Sequence, residues 1–209
     1  MTTHANCDFS PMKDQIANRL KLISSEINHG LVSLEQDNYS FLKKLESMKE
    51  LFEQIETISA SYYLNCHLAP FTDKYLELSS CIQHLSHQKH GALIVIERVD
   101  SLKHLIGPGT PIGAELTSPL LESIFYPGNR LHDGAVWVRN NQILSATNIL
   151  PLSNRSTHIK KKLGTRHRAA LGLTEQCDAL VLVVSEETGR VSFALEGKLY
   201  PIITTSSMI

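Results

Sequence analysis

A strong excess of either charge is missing from this chain: 20 basic and 21 acidic residues leave a formal net charge of −1 across 209 residues. No global field draws nucleic acid or an acidic membrane, so any anion site has to be built from a local cluster. Cysteine is sparse as well. Cys7, Cys66, Cys81 and Cys177 form no C-x-x-C pair, which excludes zinc-finger and dithiol redox motifs and leaves reduced thiols as the expectation. No window approaches the roughly 18 uninterrupted apolar residues of a membrane span, and the opening MTTHANCDFSPMKDQ lacks the basic and apolar segments of a secretory signal. The chain is expected to be cytoplasmic, with neither nucleic acid nor membrane as a partner. Phosphate-loop signatures are absent too. Gly107, Gly109 and Gly113 do not spell G-x-G-x-x-G, and no G-x-x-x-x-G-K-[ST] occurs, which excludes P-loop chemistry.

What is present is an ordinary globular balance, 42% apolar and 20% charged residues, long enough for one compact domain and an accessory segment. Ser10-Pro11 suits a helix start, and Met12, Ile16, Leu20, Ile23 and Ile27 recur at helical spacing with Gly30 as the expected stop. Phe41, Leu45, Met48, Phe52, Ile55 and Ile58 form a second stripe, opposite Lys43, Lys44, Glu46, Lys49, Glu50 and Glu53. Two such helices joined across 30–38 read as an antiparallel hairpin whose apolar stripes need a partner surface. The pattern breaks at 69–73, where Thr72 or Asp73 can cap the next helix. Residues 1–70 are therefore assigned to a helical, regulatory or oligomer-forming segment and 71–209 to a catalytic domain.

In the second segment a helix is expected from Lys74 to about Gln88. Apolar strands follow at 92–96 and 179–184, a hairpin at 134–149 turns on Asn140-Asn141, a helix covers 164–172, and an alternating strand covers 191–195. Interleaved strands and helices give an α/β domain with a mixed β-sheet flanked by helices. Trp137 reads as a core residue. His84, His87 and His90 repeat every three residues, but without acidic or cysteine partners in the sequence they read as a polar helix face.

Three clusters carry chemistry. In Leu131-His132-Asp133-Gly134-Ala135 an acid stands at the mouth of a strand, before two residues small enough for a ligand to approach the backbone. Such an Asp can hold a divalent cation or take a proton from a hydroxyl. In Gly164-Thr165-Arg166-His167-Arg168 two arginines sit at a helix start, where guanidinium forks and free backbone N–H groups both favour phosphate. Lys160, Lys161 and Lys162 widen the positive patch, though a lysine run is usually a solvated face. Ser185-Glu186-Glu187 ends an apolar strand, where α/β sheets place ligand groups. Together the three describe a metal-assisted phosphate site.

HGALIVIER, FYPGNRLHDGAVWV, LGTRHRAALGL and DALVLVVSEETG resemble the successive motifs of the diadenylate cyclase domain family, across roughly residues 88–200. The helical front half resembles the autoinhibitory extension of its sporulation-type bacterial members. The resemblance implies condensation of two ATP molecules to the second messenger cyclic di-AMP and two pyrophosphates, between active sites that face one another in a homo-oligomer such as a hexamer. By the same resemblance Asp133 holds Mg²⁺ or Mn²⁺ and promotes attack by the ribose 3′-hydroxyl, with His132 as a further metal contact. Gly134 and Ala135 line the nucleotide, Thr165, Arg166 and Arg168 hold phosphates, and His167 completes that motif. Ser185 and Glu187 match phosphate, metal or nucleotide contacts. A sensor that binds adenine nucleotides or cyclic dinucleotides without turnover would use the same cluster.

Overall fold

The computed structural model describes residues 10–35, 41–154 and 163–202. The chain divides into two compact units, Met1–Tyr63 and Leu64–Ile209.

The first unit is helical. α1 spans Ser10–Glu35, and α2 begins at Phe41 and runs on to Leu68, inside the second unit. Arg19 Nε donates to Gln54 Oε1 and Lys44 Nζ donates to the carbonyl of His29, so early residues of one helix meet late residues of the other, as in an antiparallel hairpin. Gly30 does not stop α1. A Cβ there would stand 3.3 Å from Met48 Cε and 3.6 Å from Phe41 Cε2, so the glycine marks close approach of the two helices. Its helix-breaking cost, about 1 kcal/mol, is tolerated mid-helix when packing requires it.

The second unit is built on a seven-stranded sheet: β1 Ala92–Ile96, β2 Thr110–Glu115, β3 Ala135–Arg139, β4 Gln142–Asn148, β5 Leu180–Val184, β6 Val191–Leu195 and β7 Lys198–Ile202. The spatial order is β2-β4-β3-β1-β5-β6-β7, with β1 and β3 parallel and every other neighbouring pair antiparallel. β1 and β5 are wholly buried, as unbroken apolar runs at a sheet centre should be. Leu93, Val95, Val181 and Val183 join one cluster with Ala169, Ala170 and Leu173 of α5 (Thr165–Thr174). Burying each leucine or valine of this cluster contributes about 1.5–3 kcal/mol. Strand alternation turns Ile94 and Ile96, also buried, to the other face.

α3 (Tyr75–Gln88) packs on β5 and on α4 (Ser118–Phe125). Thr72 lies just ahead of α3, accepting from Lys74 N at 3.0 Å and donating to Asn141 Oδ1 at 2.7 Å. Glu77 of α3 caps α4 from outside by accepting from Ser118 N. His84 does have an acidic partner, Glu122 on α4, at 2.9 Å. Burial pushes Glu122 up, but hydrogen bonds from Ser118 and His84, with His84's charge, outweigh it and hold the carboxyl below its ordinary value. Trp137 is partly buried against the α5-side core and donates its indole N–H to Glu97 at 2.8 Å.

Cys81 and Cys177 are free. Cys66 is disulfide-bonded, which corrects the expectation of reduced thiols at that residue; pairing depends on distance in space, and separation along the chain does not decide it. Among the described residues no helix is long and apolar enough to cross a membrane.

Candidate active site

Because β3 runs parallel to β1 and β5 antiparallel to it, the starts of β1 and β3 and the ends of β4 and β5 lie at one end of the sheet. The register places Ala92 against Val184 and Ala135 against Asn148. Asp133-Gly134 leads into β3 there, Ser185-Glu186-Glu187 leaves β5, and the N-terminus of α5 faces the same end.

Gly134 fixes the approach of Asp133. Its φ is +90°, and a Cβ would fall 2.8 Å from the Thr147 carbonyl carbon and 2.9 Å from the Asn148 oxygen, so only glycine packs this closely on β4. Asn148 is buried, accepts from the Ser145 hydroxyl at 2.9 Å and donates to the carbonyl of Ala135 at 2.8 Å, tying the start of β3 to the end of β4. The Asp133 side chain is exposed and uses Oδ1 to accept from Gly134 N at 3.0 Å. His132 donates from Nδ1 to the carbonyl of Asn129, which fixes its tautomer and leaves Nε2 as the electron-pair donor.

Gly164, the residue just ahead of α5, offers no side-chain cap, so the N–H groups of the helix's first turn are available to an anion. Arg166 donates from Nη1 to Glu186 Oε2 at 2.7 Å. Two cavities open beside this ion pair. One, about 900 Å³, is lined by His132, Asp133, Gly134, Thr165, Arg166 and Glu186, with Leu93, Ile149, Leu150 and Leu152 among its apolar walls. The other, about 750 Å³, is lined by Thr165, Arg166, His167, Ser185, Glu186 and Glu187, with Thr188 and Arg190. Thr165, Arg166 and Glu186 border both.

Asp133 and Arg166 thus share one cavity, whereas Arg168 lines neither and is exposed. Arg168 lies two residues further along α5, a step of about 200° that turns it from the face carrying Arg166. Ala135 lines neither cavity and is fully buried in β3. Lys160, Lys161 and Lys162 lie outside the described residues. Ser185 closes the β5–β6 turn, its hydroxyl accepting from Thr188 N at 3.3 Å.

A family described as DisA bacterial checkpoint controller nucleotide-binding matches residues 79–199, and one described as diadenylate cyclase CdaS, N-terminal, matches residues 3–71. The chain belongs to the diadenylate cyclase family. It is 50% identical over 191 residues to the diadenylate cyclase CdaS of Bacillus thuringiensis, covering 91% of this chain and 94% of that relative. A Bacillus cereus structure described as a hypothetical membrane spanning protein superposes with a TM-score of 0.74 at 50% identity, over 93% of this chain and 95% of that one. DacA from Staphylococcus aureus superposes with a TM-score of 0.58 at 41% identity, over 61% and 85%. Membership makes this chain a nucleotidyltransferase and accounts for both the mixed sheet and the helices in front of it.

For a diadenylate cyclase family member, the groups that sequence reasoning passed over are Arg130, Thr147, Asn148 and Arg190. In the sequence Glu186 is only one of an acidic pair with Glu187. Its ion pair with Arg166 joins residues 20 apart and arises only once α5 packs against β5.

Burial lowers the His167 pKa from its ordinary 6.5 and keeps the ring neutral near pH 7. The unfolded chain then binds this proton first as the pH falls. Stability attributable to His167 should decline from about pH 6.5 downward and level off below its folded pKa. Urea midpoints at pH 8 and pH 5.5 should therefore differ less in His167→Gln than in the unaltered protein.

Proposed function

We propose that this chain condenses two ATP molecules into cyclic di-AMP and two pyrophosphates, with each subunit holding one ATP. The carrying observation is that Asp133 and Arg166 border one cavity of nucleotide size, with apolar walls on one side and an uncapped helix start on the other. In each half-reaction a 3′-hydroxyl oxygen bonds to the α-phosphorus of the opposing ATP, the bond from that phosphorus to the bridging oxygen breaks, and pyrophosphate leaves with its electron pair. Two such steps close the ring, so two identical sites must face one another in an isologous arrangement. The chain supplies charge stabilisation and proximity, and no covalent nucleophile is needed.

Asp133, with one carboxylate oxygen uncommitted among the described residues, and His132, with Nε2 available, are the groups that would hold Mg²⁺ or Mn²⁺. No group of three or more His, Cys, Asp or Glu among the described residues can hold a cation alone. That donor set fits an ion bound jointly by one or two side chains and the substrate's phosphates. When bound, the ion neutralises triphosphate charge and lowers the pKa of the attacking hydroxyl. Asp133 orients that hydroxyl and accepts its proton, while Arg166, Thr165 and the first N–H groups of α5 bind phosphate oxygens. Incubation of the pure protein with ATP and either cation should yield cyclic di-AMP by mass spectrometry, two ATP consumed per product. A chain that binds ATP and leaves it intact would be a sensor.

The helical unit supports a restraint on this reaction. Leu20, Leu22, Ile27, Leu31, Leu34, Leu42, Leu45 and Phe52 are all exposed on α1 and α2, more apolar surface than an isolated hairpin tolerates, and contact between copies would cover it. An assembly set by those helices holds most catalytic sites apart. Deletion of residues 1–63 spares Leu64 and Leu68, which are buried. It is expected to raise specific activity about tenfold, the gain if about a tenth of the full-length sites face productively. Activity per subunit in the truncated form should also climb with protein concentration. A folded truncation no faster than the full chain removes the restraint.

A further inference from the structure

Arg166 is held from two sides by residues with no place in the phosphate chemistry above. On one side its Nη1 donates to Glu186 at 2.7 Å. On the other lies Gly91, immediately before β1, where a Cβ would fall 2.5 Å from Arg166 Nη1, 2.7 Å from its Cζ and 2.9 Å from Glu186 Cβ. The guanidinium occupies the space that a side chain at 91 would fill. Its own side chain is 24% exposed, against 66% for Glu186, so the arginine is the enclosed member of the pair.

We infer that Gly91 and Glu186 are positioning residues that seat the Arg166 guanidinium on the border between the two cavities, with Nη2 and Nε left for the triphosphate. The inference rests on the ATP-binding reading of this site and goes beyond it by assigning the holder. A free arginine side chain loses rotamer entropy on binding, and a pre-seated fork has already lost much of it. Charge alone argues the opposite effect for Glu186: a carboxylate beside a polyanion site repels the ligand, so its removal would tighten binding. The sign of the change therefore separates positioning from simple charge.

The test uses the full-length protein with Mn²⁺, the variants Gly91→Ala, Glu186→Ala, Glu186→Gln and the double Gly91→Ala/Glu186→Ala, and α,β-methylene-ATP as a ligand that cannot react. Gly91→Ala meets chiefly the far end of a flexible side chain, so it should displace the guanidinium without unfolding the sheet, and a thermal melt checks this. Gly91→Ala and Glu186→Ala should each weaken analogue binding about tenfold by calorimetry. Glu186→Gln should stay within about threefold, because its amide oxygen still accepts from Nη1. The double variant should be no weaker than the weaker single, since both act through one guanidinium. Unchanged or tighter binding in Glu186→Ala, or unchanged binding in a folded Gly91→Ala, overturns the holder. Protein that binds the analogue but makes no cyclic di-AMP refutes the proposed reaction, and the binding series still decides the holder. Protein that does not bind the analogue overturns both.

Discussion

Asp133→Asn in the full-length chain is expected to lower cyclic di-AMP formation about a thousandfold while moving the thermal midpoint by less than about 2 °C. Asparagine has the same shape, and its amide oxygen can still accept from Gly134 N, the bond that Asp133 Oδ1 accepts at 3.0 Å. The side chain is exposed, so loss of its charge costs the fold within about 0.5 kcal/mol. What disappears is the negative charge that would hold the cation and take the hydroxyl's proton. A positioned base contributes about 10²–10⁴ in rate, and weakened cation binding adds to that loss. The rate should stay low in excess Mn²⁺, because saturating the cation does not restore the base. A variant that keeps more than about a tenth of the rate would move the essential carboxylate to Glu186 or Glu187, the other acids on these cavity walls.

The sequence made some parts of this architecture legible because one physical signal dominated each. β1 and β5 are unbroken apolar runs and are the fully buried centre of the sheet. Asn140 and Asn141 both take positive φ, as the expected tight turn between β3 and β4 requires. The strands passed over, β2 and β7, each contain a proline, Pro111 and Pro201, and both lie at the sheet edges, where a missing N–H is cheapest. α4 has only eight residues and takes its cap from Glu77 on another helix, which no local pattern reveals.

The site divides in the same way. Asp133-Gly134 and Thr165-Arg166-His167 could be named because small residues and guanidiniums are informative in a row. Their meeting depends on β1 and β3 being parallel, a property of the whole sheet. The linear motif also suggests that Arg166 and Arg168 act together; in the fold Arg166 lines both cavities and Arg168 neither. Glu186 illustrates the converse: beside Glu187 it looks like half of a turn, and only the packing of α5 on β5 shows that it meets Arg166.

Gly134→Ala should do what Asp133→Asn does not, and lose structure along with activity. Gly134 sits at φ +90°, a conformation that costs an L-residue about 1–3 kcal/mol, and its new Cβ would meet backbone atoms of Thr147 and Asn148 at 2.8 and 2.9 Å. Neither can swing aside as a side-chain tip would, so β3 and β4 have to part. A destabilisation of about 2–4 kcal/mol follows, seen as a thermal midpoint lower by about 5–12 °C. Displacing Asp133 by even about 1 Å costs on the order of a hundredfold in rate, so product formation should fall at least that far in the fraction still folded. Gly128 is the control. Its φ is +92°, yet a Cβ there meets nothing within 4 Å, so Gly128→Ala carries the conformational cost without the collision. It should be the milder variant by at least about 1 kcal/mol and keep most of its activity. Equal losses in the two variants would place the whole cost in backbone conformation, and the packing of Gly134 on β4 would no longer explain why a glycine follows Asp133.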